Sequence, residues 1–401
     1  MQTMISQKED SKKKIIIVNN NMRIGGVQKA LLNLLHEISS QYDITLYLLS
    51  SSGEYLDRVP PNVTVIGGDS LYKYFGMSQA ECRGKAKDFC FRSALAVGAK
   101  VLGGRFAISI ASALSPKLPA EYDCAISYMH DAERKALYGG CNEFVLTKIK
   151  ASKKVAVVHC DYENCGSNYK SNNALYRKFD YIAACSDGCR RAFLRVLPHL
   201  EGKTKTVINC HNFEEIIALS KENTVTYDEE YTNVIIVARL SPEKGIDRAL
   251  LALKYVLEKG LKVRLHIVGD GRMMGQLKGL CTELDVSENV FFYGGQSNPY
   301  RYIKNAHFLF IPSVHEAAPL VIDEARCLGI PVLSTETTSS EEMITHRNCG
   351  WVCGNTQECI NEKLYDVTAD RDGIAKMKSA ISTAAVFDND MAVKMFKQLI
   401  D

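Results

Sequence analysis

Residues 308–335, FLFIPSVHEAAPLVIDEARCLGIPVLST, contain the pattern that decides the fold. An apolar run at 308–311 predicts a buried strand, a helical pattern follows at 319–328, and a second apolar run lies at 331–334. Strands that alternate with helices in this way form parallel sheets whose faces the helices cover. The stretch therefore predicts one strand–helix–strand unit of an α/β domain.

Two acidic residues lie on this unit with seven residues between them. Glu316 follows the first strand, and Glu324 lies in the predicted helix. Positions eight apart are about 80° apart around a helix, so both carboxylates can face one cleft. The Ala-Ala-Pro at 317–319 leaves backbone N–H groups at the helix N-terminus free for an anion. The pattern indicates a ligand site at this end of the sheet.

The same alternation continues on both sides of this unit. A polar joint at 228–233 is followed by apolar runs at 234–238, 264–268 and 290–293. A separate series begins earlier with the run at 14–19, then Gly25-Gly26 and a helical pattern from 27 to 38, which is how an α/β nucleotide-binding unit begins. Further strands are predicted at 44–50, 63–66, 124–127, 155–159, 181–185 and 206–208, and an amphipathic helix at 387–400 with Met391, Met395, Phe396 and Leu399 inward.

Two cations follow the first strand of the second series. Arg239 and Lys244 lie in VARLSPEKGIDRAL. The carboxyl end of a strand is where α/β domains bind phosphate, and Arg can bind two phosphate oxygens while Lys acts as a point charge. The alternative is surface charge at the start of a helix.

Together these motifs resemble the retaining family 4 glycosyltransferases. That family carries two Glu separated by seven residues, matched by Glu316 and Glu324, and an Arg and a Lys separated by four, matched by Arg239 and Lys244. The resemblance runs from residue 15 to 399 and is strongest at 234–335. It implies that Glu316 contacts the donor sugar, Glu324 holds the nucleotide ribose, and both cations stabilise the leaving diphosphate.

The resemblance also assigns further residues. His159 in VVHCDY matches a histidine that reaches the donor sugar, and His130 is the competing candidate, although a lone histidine at a strand end is more often structural. The turn Gly269-Asp270-Gly271 has Arg272 where the family usually has Pro, and Ser339-Ser340 stand where it often has glycines. The expected donor-binding residues are Gly25, Gly26, Asp270, Gln296, Ala318, Pro319, Leu320 and Val321. Second-choice or acceptor residues are Asp131, Asp161 and Tyr162. Two further residues, Ser186 and Asn209, are expected near the cleft.

Charge is divided unevenly along the chain. Residues 1–212 carry 29 Lys and Arg against 19 Asp and Glu, whereas residues 213–401 carry 20 against 27. A basic first half suggests an anionic partner. Because no basic patch is interleaved with exposed aromatics, nucleic acid is not expected. The basic, apolar segment 72–118 can lie on an anionic membrane surface, or it can be a solvated helix pair packed on the first sheet.

The sequence also indicates the compartment. No run of about 18 uncharged apolar residues predicts a transmembrane helix, and the polar N-terminus lacks the apolar core of a secretory signal. The fourteen Cys are scattered without a C-x-x-C pair, so reduced thiols are expected and a metal site is not. A cytoplasmic protein is predicted, peripheral on the inner face of the cytoplasmic membrane if segment 72–118 binds lipid.

The resemblance implies an α/β fold of GT-B architecture, with two Rossmann-like parallel-sheet domains facing across a cleft. The expected domains are residues 1–212 on the acceptor side, 213–385 for the nucleotide-sugar, and a C-terminal helix, 386–401, packed back on the first. The expected function is the transfer of a hexose from a nucleotide-sugar to a glycan or lipid-linked acceptor in surface polysaccharide biosynthesis. The expected reaction is retaining, independent of a metal ion and without a cofactor, and a UDP-sugar is the favoured donor. A sugar-nucleotide epimerase and a non-enzymatic nucleotide-binding scaffold are the alternatives; donor sugar and acceptor are not named by the sequence.

Overall fold

The computed structural model describes residues 12–131, 133–384 and 387–401. Within these ranges the chain forms two parallel β-sheets, one of seven strands and one of six. Two features of the sequence interpretation lie outside the described residues: most of the polar N-terminal segment, residues 1–11, and the predicted domain limit between residues 385 and 386.

The first sheet consists of β1 (Lys14–Asn19), β2 (Asp43–Leu48), β3 (Thr64–Gly67), β4 (Glu121–Ser127), β5 (Lys150–Val158), β6 (Tyr181–Ala184) and β7 (Thr204–Thr206). These strands lie in the order β3-β2-β1-β4-β5-β6-β7 and pair in parallel. The strand order reverses between β1 and β4, so the loops after these strands open onto one crevice. The accompanying helices are α1 (Gly26–Ile38), α2 (Lys73–Gly76), α3 (Ala86–Leu102), α4 (Gly104–Leu114), α5 (Cys141–Lys148), α6 (Lys170–Tyr176) and α7 (Asp187–Val196).

The second sheet consists of β8 (Thr232–Val237), β9 (Val263–Val268), β10 (Val290–Gly294), β11 (Phe308–Ile311), β12 (Val332–Thr335) and β13 (Gly350–Cys353). Its parallel order is β10-β9-β8-β11-β12-β13, with the reversal between β8 and β11. The quoted stretch 308–335 is therefore β11, a helix and β12. The helices are α8 (Phe213–Ser220), α9 (Ile246–Glu258), α10 (Met274–Glu283), α11 (Tyr300–Ile303), α12 (Leu320–Cys327), α13 (Gln357–Ala369), α14 (Arg371–Ala384) and α15 (Asp390–Ile400).

Each sheet is buried on both faces. Alternate residues of β1 enter two different cores, with Ile16 and Val18 on one side and Ile15 and Ile17 on the other. Two further cores lie on the faces of the second sheet. This arrangement explains why the strands are continuous apolar runs and not alternating ones.

The last helix, α15, returns to the first domain. Phe396 and Leu399 pack in the same core as residues of α1 and β1, and Lys13 Nζ lies 3.0 Å from Asp401 Oδ1. The predicted inward position of Met391 is wrong, because this side chain is 54% exposed and Ala392 takes the buried position. The helix begins at Asp390, three residues later than predicted, and its buried residues are Ala392, Phe396, Leu399 and Ile400.

Helices α3 and α4 form a pair over one face of the first sheet. Their inward residues, among them Leu95, Ala99 and Ile108, join its core. Their outer side is unusually apolar for a solvated helix pair. We call it the α3–α4 apolar surface; it consists of the exposed Phe89, Phe91, Val97, Val101, Leu102, Phe106 and Leu114. None of the helices in the described part of the chain is long and apolar enough to cross a membrane.

Candidate functional site

Lys244 and Glu316 meet at the carboxyl ends of β8 and β11. Lys244 Nζ lies 2.5 Å from Glu316 Oε1, and Ser313 Oγ donates to the same oxygen at 2.8 Å. A Cβ at Gly245 would lie 2.2 Å from the carbonyl oxygen of Pro312, so glycine is required for the two loops to approach this closely. The tertiary structure thus brings a predicted cation and a predicted carboxylate together at the switch point of the sheet.

Arg239 does not join this pair. Its side chain is 71% exposed and lies 2.8 Å from Glu243 Oε1, one turn along the chain. Burial alone would raise the pKa of Glu243, but hydrogen bonds from Ser241 and Arg239 lower this pKa to about 2. The guanidinium is therefore largely exposed, with Glu243 as its ion-pair partner.

Glu324 is buried in α12 and meets a residue of the other domain. The Lys29 ammonium, from α1, donates to Glu324 Oε1 and to the Tyr300 hydroxyl, and it lies 4.8 Å from the centroid of the Tyr300 ring. Sequence reasoning missed both Lys29 and Tyr300. The available signal was the position of Lys29, one turn after Gly26 in the glycine loop, but nothing local indicates which carboxylate it contacts.

The loops after β9 and β10 are held by internal contacts. A Cβ at Gly269 would lie 1.8 Å from the carbonyl oxygen of Ala238, so this turn needs a glycine. Asp270 accepts a hydrogen bond from the Gly271 N–H at 2.7 Å. Gln296 donates to the carbonyl of Tyr293 at 2.6 Å, so its side chain braces its own loop. Both predicted donor residues lie at the carboxyl ends of their strands.

A cavity of about 150 Å³ lies where the first domain faces the segment that leads into α12. Ala318 and Leu320 line it from the second domain, and Ser186 and Asn209 from the first. The neighbouring Pro319 is the residue before the first helical position, and Val321 follows in the first turn. The structure therefore places the predicted residues 318–321 at the junction of the domains.

Ser339, in the loop that the sequence left without a role, also reaches the first domain. Its Oγ lies 2.5 Å from Ser186 Oγ, and Glu342 accepts a hydrogen bond from the Gly188 N–H at 2.9 Å. A Cβ at Gly188 would lie 1.8 Å from the carbonyl oxygen of Thr338. The N-terminus of α7 is thus pressed against the second domain.

The two candidate histidines lie together. Burial lowers the pKa of His130 to about 4; burial and the charge of His130 lower that of His159 to about 3. His159 Nε2 and His130 Nδ1 are buried and have no hydrogen-bond partner among the described residues. Both imidazoles are therefore neutral at pH 7 and can each bind a hydroxyl group.

The remaining second-choice residues have structural partners. Asp131 is buried and accepts from the Gly140 N–H at 2.7 Å, with burial raising its pKa. Asp161 accepts from Asn164 at 2.9 Å within its own turn. Tyr162 is fully buried in the core of the first domain, and its hydroxyl donates to Asn173. The carboxylates order loops around the histidines, and Tyr162 packs beneath them.

Gly25 and Gly26 begin α1, immediately before the turn that carries Lys29. A Cβ at Gly26 would meet no atom within 4 Å, so the space beside this residue is open. A Cβ at Gly25 would meet only the flexible side chain of Gln28 closely, at 2.6 Å. The loop therefore leaves its backbone accessible from the cleft.

Comparison with protein families assigns the second half of the chain. Residues 220–385 match the family described as Glycosyl transferases group 1. This segment contains Arg239, Lys244, Glu316 and Glu324, the four residues on which the resemblance was built.

Similar proteins extend this finding. The chain is 31% identical to "Uncharacterized glycosyltransferase MJ1059" of Methanocaldococcus jannaschii over 169 residues, which is 40% of this chain and 41% of the relative. It is 33% identical to Lipopolysaccharide glucosyltransferase WaaG of Escherichia coli over 124 residues, 30% of this chain and 33% of WaaG. The match thus spans less than half the length of these relatives. The solved structure of Anabaena Alr3699/HepE in complex with UDP aligns with 96% of this chain and 98% of the HepE chain, with a TM-score of 0.62 and 16% sequence identity. This similarity shows a shared GT-B fold.

Proposed function

We propose that this chain, which carries a glycosyl transferases group 1 domain in residues 220–385, is a retaining, metal-independent hexosyltransferase. It would transfer a sugar from a nucleotide-sugar to a glycan or lipid-linked acceptor in surface polysaccharide biosynthesis. The observation that carries this proposal is the meeting of Lys244 and Glu316, with Glu324 on the next helix, at the reversal of the second sheet. No observation favours an epimerase or a non-enzymatic scaffold.

The second domain would bind the donor. Glu324 would accept hydrogen bonds from the ribose hydroxyls, and Glu316 would contact the transferred sugar. Lys244 and Arg239 would stabilise the negative charge of the diphosphate, helped by the backbone N–H groups at the start of α12. A uridine nucleotide is favoured because the HepE structure of the same fold contains UDP.

Retention would follow from transfer on one face of the sugar. The bond between the anomeric carbon and the diphosphate oxygen breaks with its electrons on that oxygen. The acceptor hydroxyl then attacks the same face, and its proton passes to the departing diphosphate. Cations positioned for the leaving group would make a metal ion unnecessary in this step, and the neutral His159 would bind a sugar hydroxyl without adding charge.

The acceptor would be reached at a membrane. The exposed cations Lys87 and Lys100 lie on α3, and Arg83 and Lys85 lie just before it. Exposed apolar side chains combined with cations favour binding to the interface of an anionic bilayer. The proposed location is the cytoplasmic face of such a membrane, with the first domain presenting the cleft to a lipid-linked acceptor.

The decisive experiment measures thermal stabilisation of the purified protein by UDP, GDP, ADP and NAD. A ligand at 100 times its dissociation constant adds about 2.7 kcal/mol to the free energy of unfolding. We expect UDP to raise the midpoint, Glu324→Gln to remove the shift, and Glu288→Gln, at an exposed position of the same domain, to retain it. Radiolabelled UDP-hexoses with lipid-linked acceptors then test transfer. Stabilisation by NAD alone, or by no nucleotide, would contradict the proposal.

A further inference from the structure

The contact between Lys29 and Glu324 joins the two domains at the proposed donor site. Lys29 lies on α1, behind the glycine loop, whereas Glu324 and Tyr300 belong to the second domain. The Glu324 carboxylate is 6% exposed, and the Lys29 side chain is 24% exposed. The pair is therefore far more enclosed than an ordinary surface ion pair.

A buried carboxylate needs a partner to remain ionised. Without one, burial favours the protonated acid, which accepts fewer hydrogen bonds. Lys29 supplies the cation: although burial alone would lower its pKa, Glu324 and Tyr300 raise it well above its ordinary value. Lys29 and Tyr300 both meet Glu324 at Oε1. The second oxygen, Oε2, is not used in these contacts.

We propose that Lys29 is a positioning residue of the donor site, which couples nucleotide binding on the second domain to closure by the first. Its ammonium holds the Glu324 carboxylate by Oε1, turned so that Oε2 can accept from a ribose hydroxyl. This inference rests on the proposed function. A donor would then bind best when α1 lies against α12, and an open cleft would offer a weaker site.

A second ion pair between the domains provides a matched control. Arg58, from the first domain, contacts Glu215 on α8 with N–O distances of 2.6 and 2.7 Å. These side chains are 43% and 32% exposed and do not touch Glu324. If Lys29 only holds the domains together, loss of Arg58 will have the same effect as loss of Lys29.

The test compares UDP affinity, by titration calorimetry, in wild type, Lys29→Met, Lys29→Arg and Arg58→Met. We expect Lys29→Met to weaken binding about tenfold or more, which corresponds to the loss of one charge-assisted hydrogen bond. Lys29→Arg should bind within about threefold of wild type, since it keeps the charge, and Arg58→Met should be unchanged.

Two outcomes overturn the inference: unchanged or tighter UDP binding in Lys29→Met, or an equal loss in Arg58→Met. If wild type binds no nucleoside diphosphate, the proposed function itself fails, which distinguishes that result from failure of the Lys29 role alone. Should Lys29→Met not fold, the pair is tested with Lys29→Gln and Lys29→Arg. In that case, UDP binding by Lys29→Gln that equals that of Lys29→Arg overturns the inference.

Discussion

At the scale of single residues, the site depends on charges that lie closer together than their sequence positions indicate. Lys244 is not the surface cation that its place at a helix start suggests, because its side chain is 23% exposed and pairs with the Glu316 carboxylate. Arg239, one turn earlier, is exposed. Two neighbouring cations thus have different environments, and their substitution should have different consequences.

Lys244→Ala should lower the transfer rate by on the order of 10²–10³-fold, the usual effect of removing one group that stabilises developing charge. It should also lower the free energy of unfolding by about 1–3 kcal/mol, because Glu316 loses its cation in a partly buried place. Steady-state kinetics and urea unfolding measure the two effects. Lys254→Ala, which removes an exposed helix pair with Glu258, is the control; equal activity in the two variants would contradict the assignment.

Protein stability should fall below pH 6.5 because the half-buried His130 and His159 have pKa values lowered to about 4 and about 3. In the unfolded chain each takes up a proton below its ordinary pKa of about 6.5, whereas the folded protein does not until about pH 4 or 3. The unfolded state then binds more protons, so stability decreases as the pH falls. Urea unfolding of His159→Gln between pH 6.5 and 5 should show a slope smaller by about 1 kcal/mol per pH unit on average. An unchanged slope would mean that His159 is accessible and charged.

At the scale of elements, helices α3 and α4 combine a packed side with an exposed apolar side. Leu95 and Ala99 face the sheet, while Val101 and Leu102 are 73% and 60% exposed. An exposed side contributes little to folding, so its apolar character is better explained by an external partner. The helical conformation itself is set by residues that are close in sequence.

Val101→Ser/Leu102→Ser should weaken binding to vesicles that contain anionic lipid without lowering thermal stability. The change removes apolar area from the bilayer contact but none from the core. Co-sedimentation measures binding, and a midpoint scan measures stability. Ile217→Ser, exposed on α8, is the control. Wild-type protein that stays in the supernatant would contradict a membrane partner.

At the scale of the whole molecule, the two sheets are held face to face by a few contacts at the cleft. Ser186 meets Ser339, Gly188 meets Glu342, and Lys29 meets Glu324. Helix α15, which follows the second domain along the chain, packs into a core of the first domain and so also joins the two. Closure of the cleft between the domains therefore depends on the close approach of backbone segments as well as on ion pairs between charged side chains.

Gly188→Ala should open the cleft, because its Cβ would lie 1.8 Å from the carbonyl oxygen of Thr338. We expect a larger radius of gyration in solution scattering and a loss of transfer on the order of 10²-fold, the cost of misplacing reacting groups by about 1 Å. Gly202→Ala, where a Cβ meets no atom within 4 Å, should change neither quantity. A closed and fully active Gly188→Ala protein would show that this contact is not needed.

The sequence by itself determined the local units: apolar runs and helical periodicity predicted the strand–helix–strand unit of residues 308–335, because neighbours along the chain set which side of an element is buried. It also placed Glu316 and Lys244 after their strands and Glu324 within the helix. Only the tertiary structure decided which groups meet. Lys29 and Glu324 are 295 positions apart, Tyr162 is in the core, and Arg239 turns to Glu243. Such contacts depend on how the two sheets pack and face each other, and no local periodicity records that.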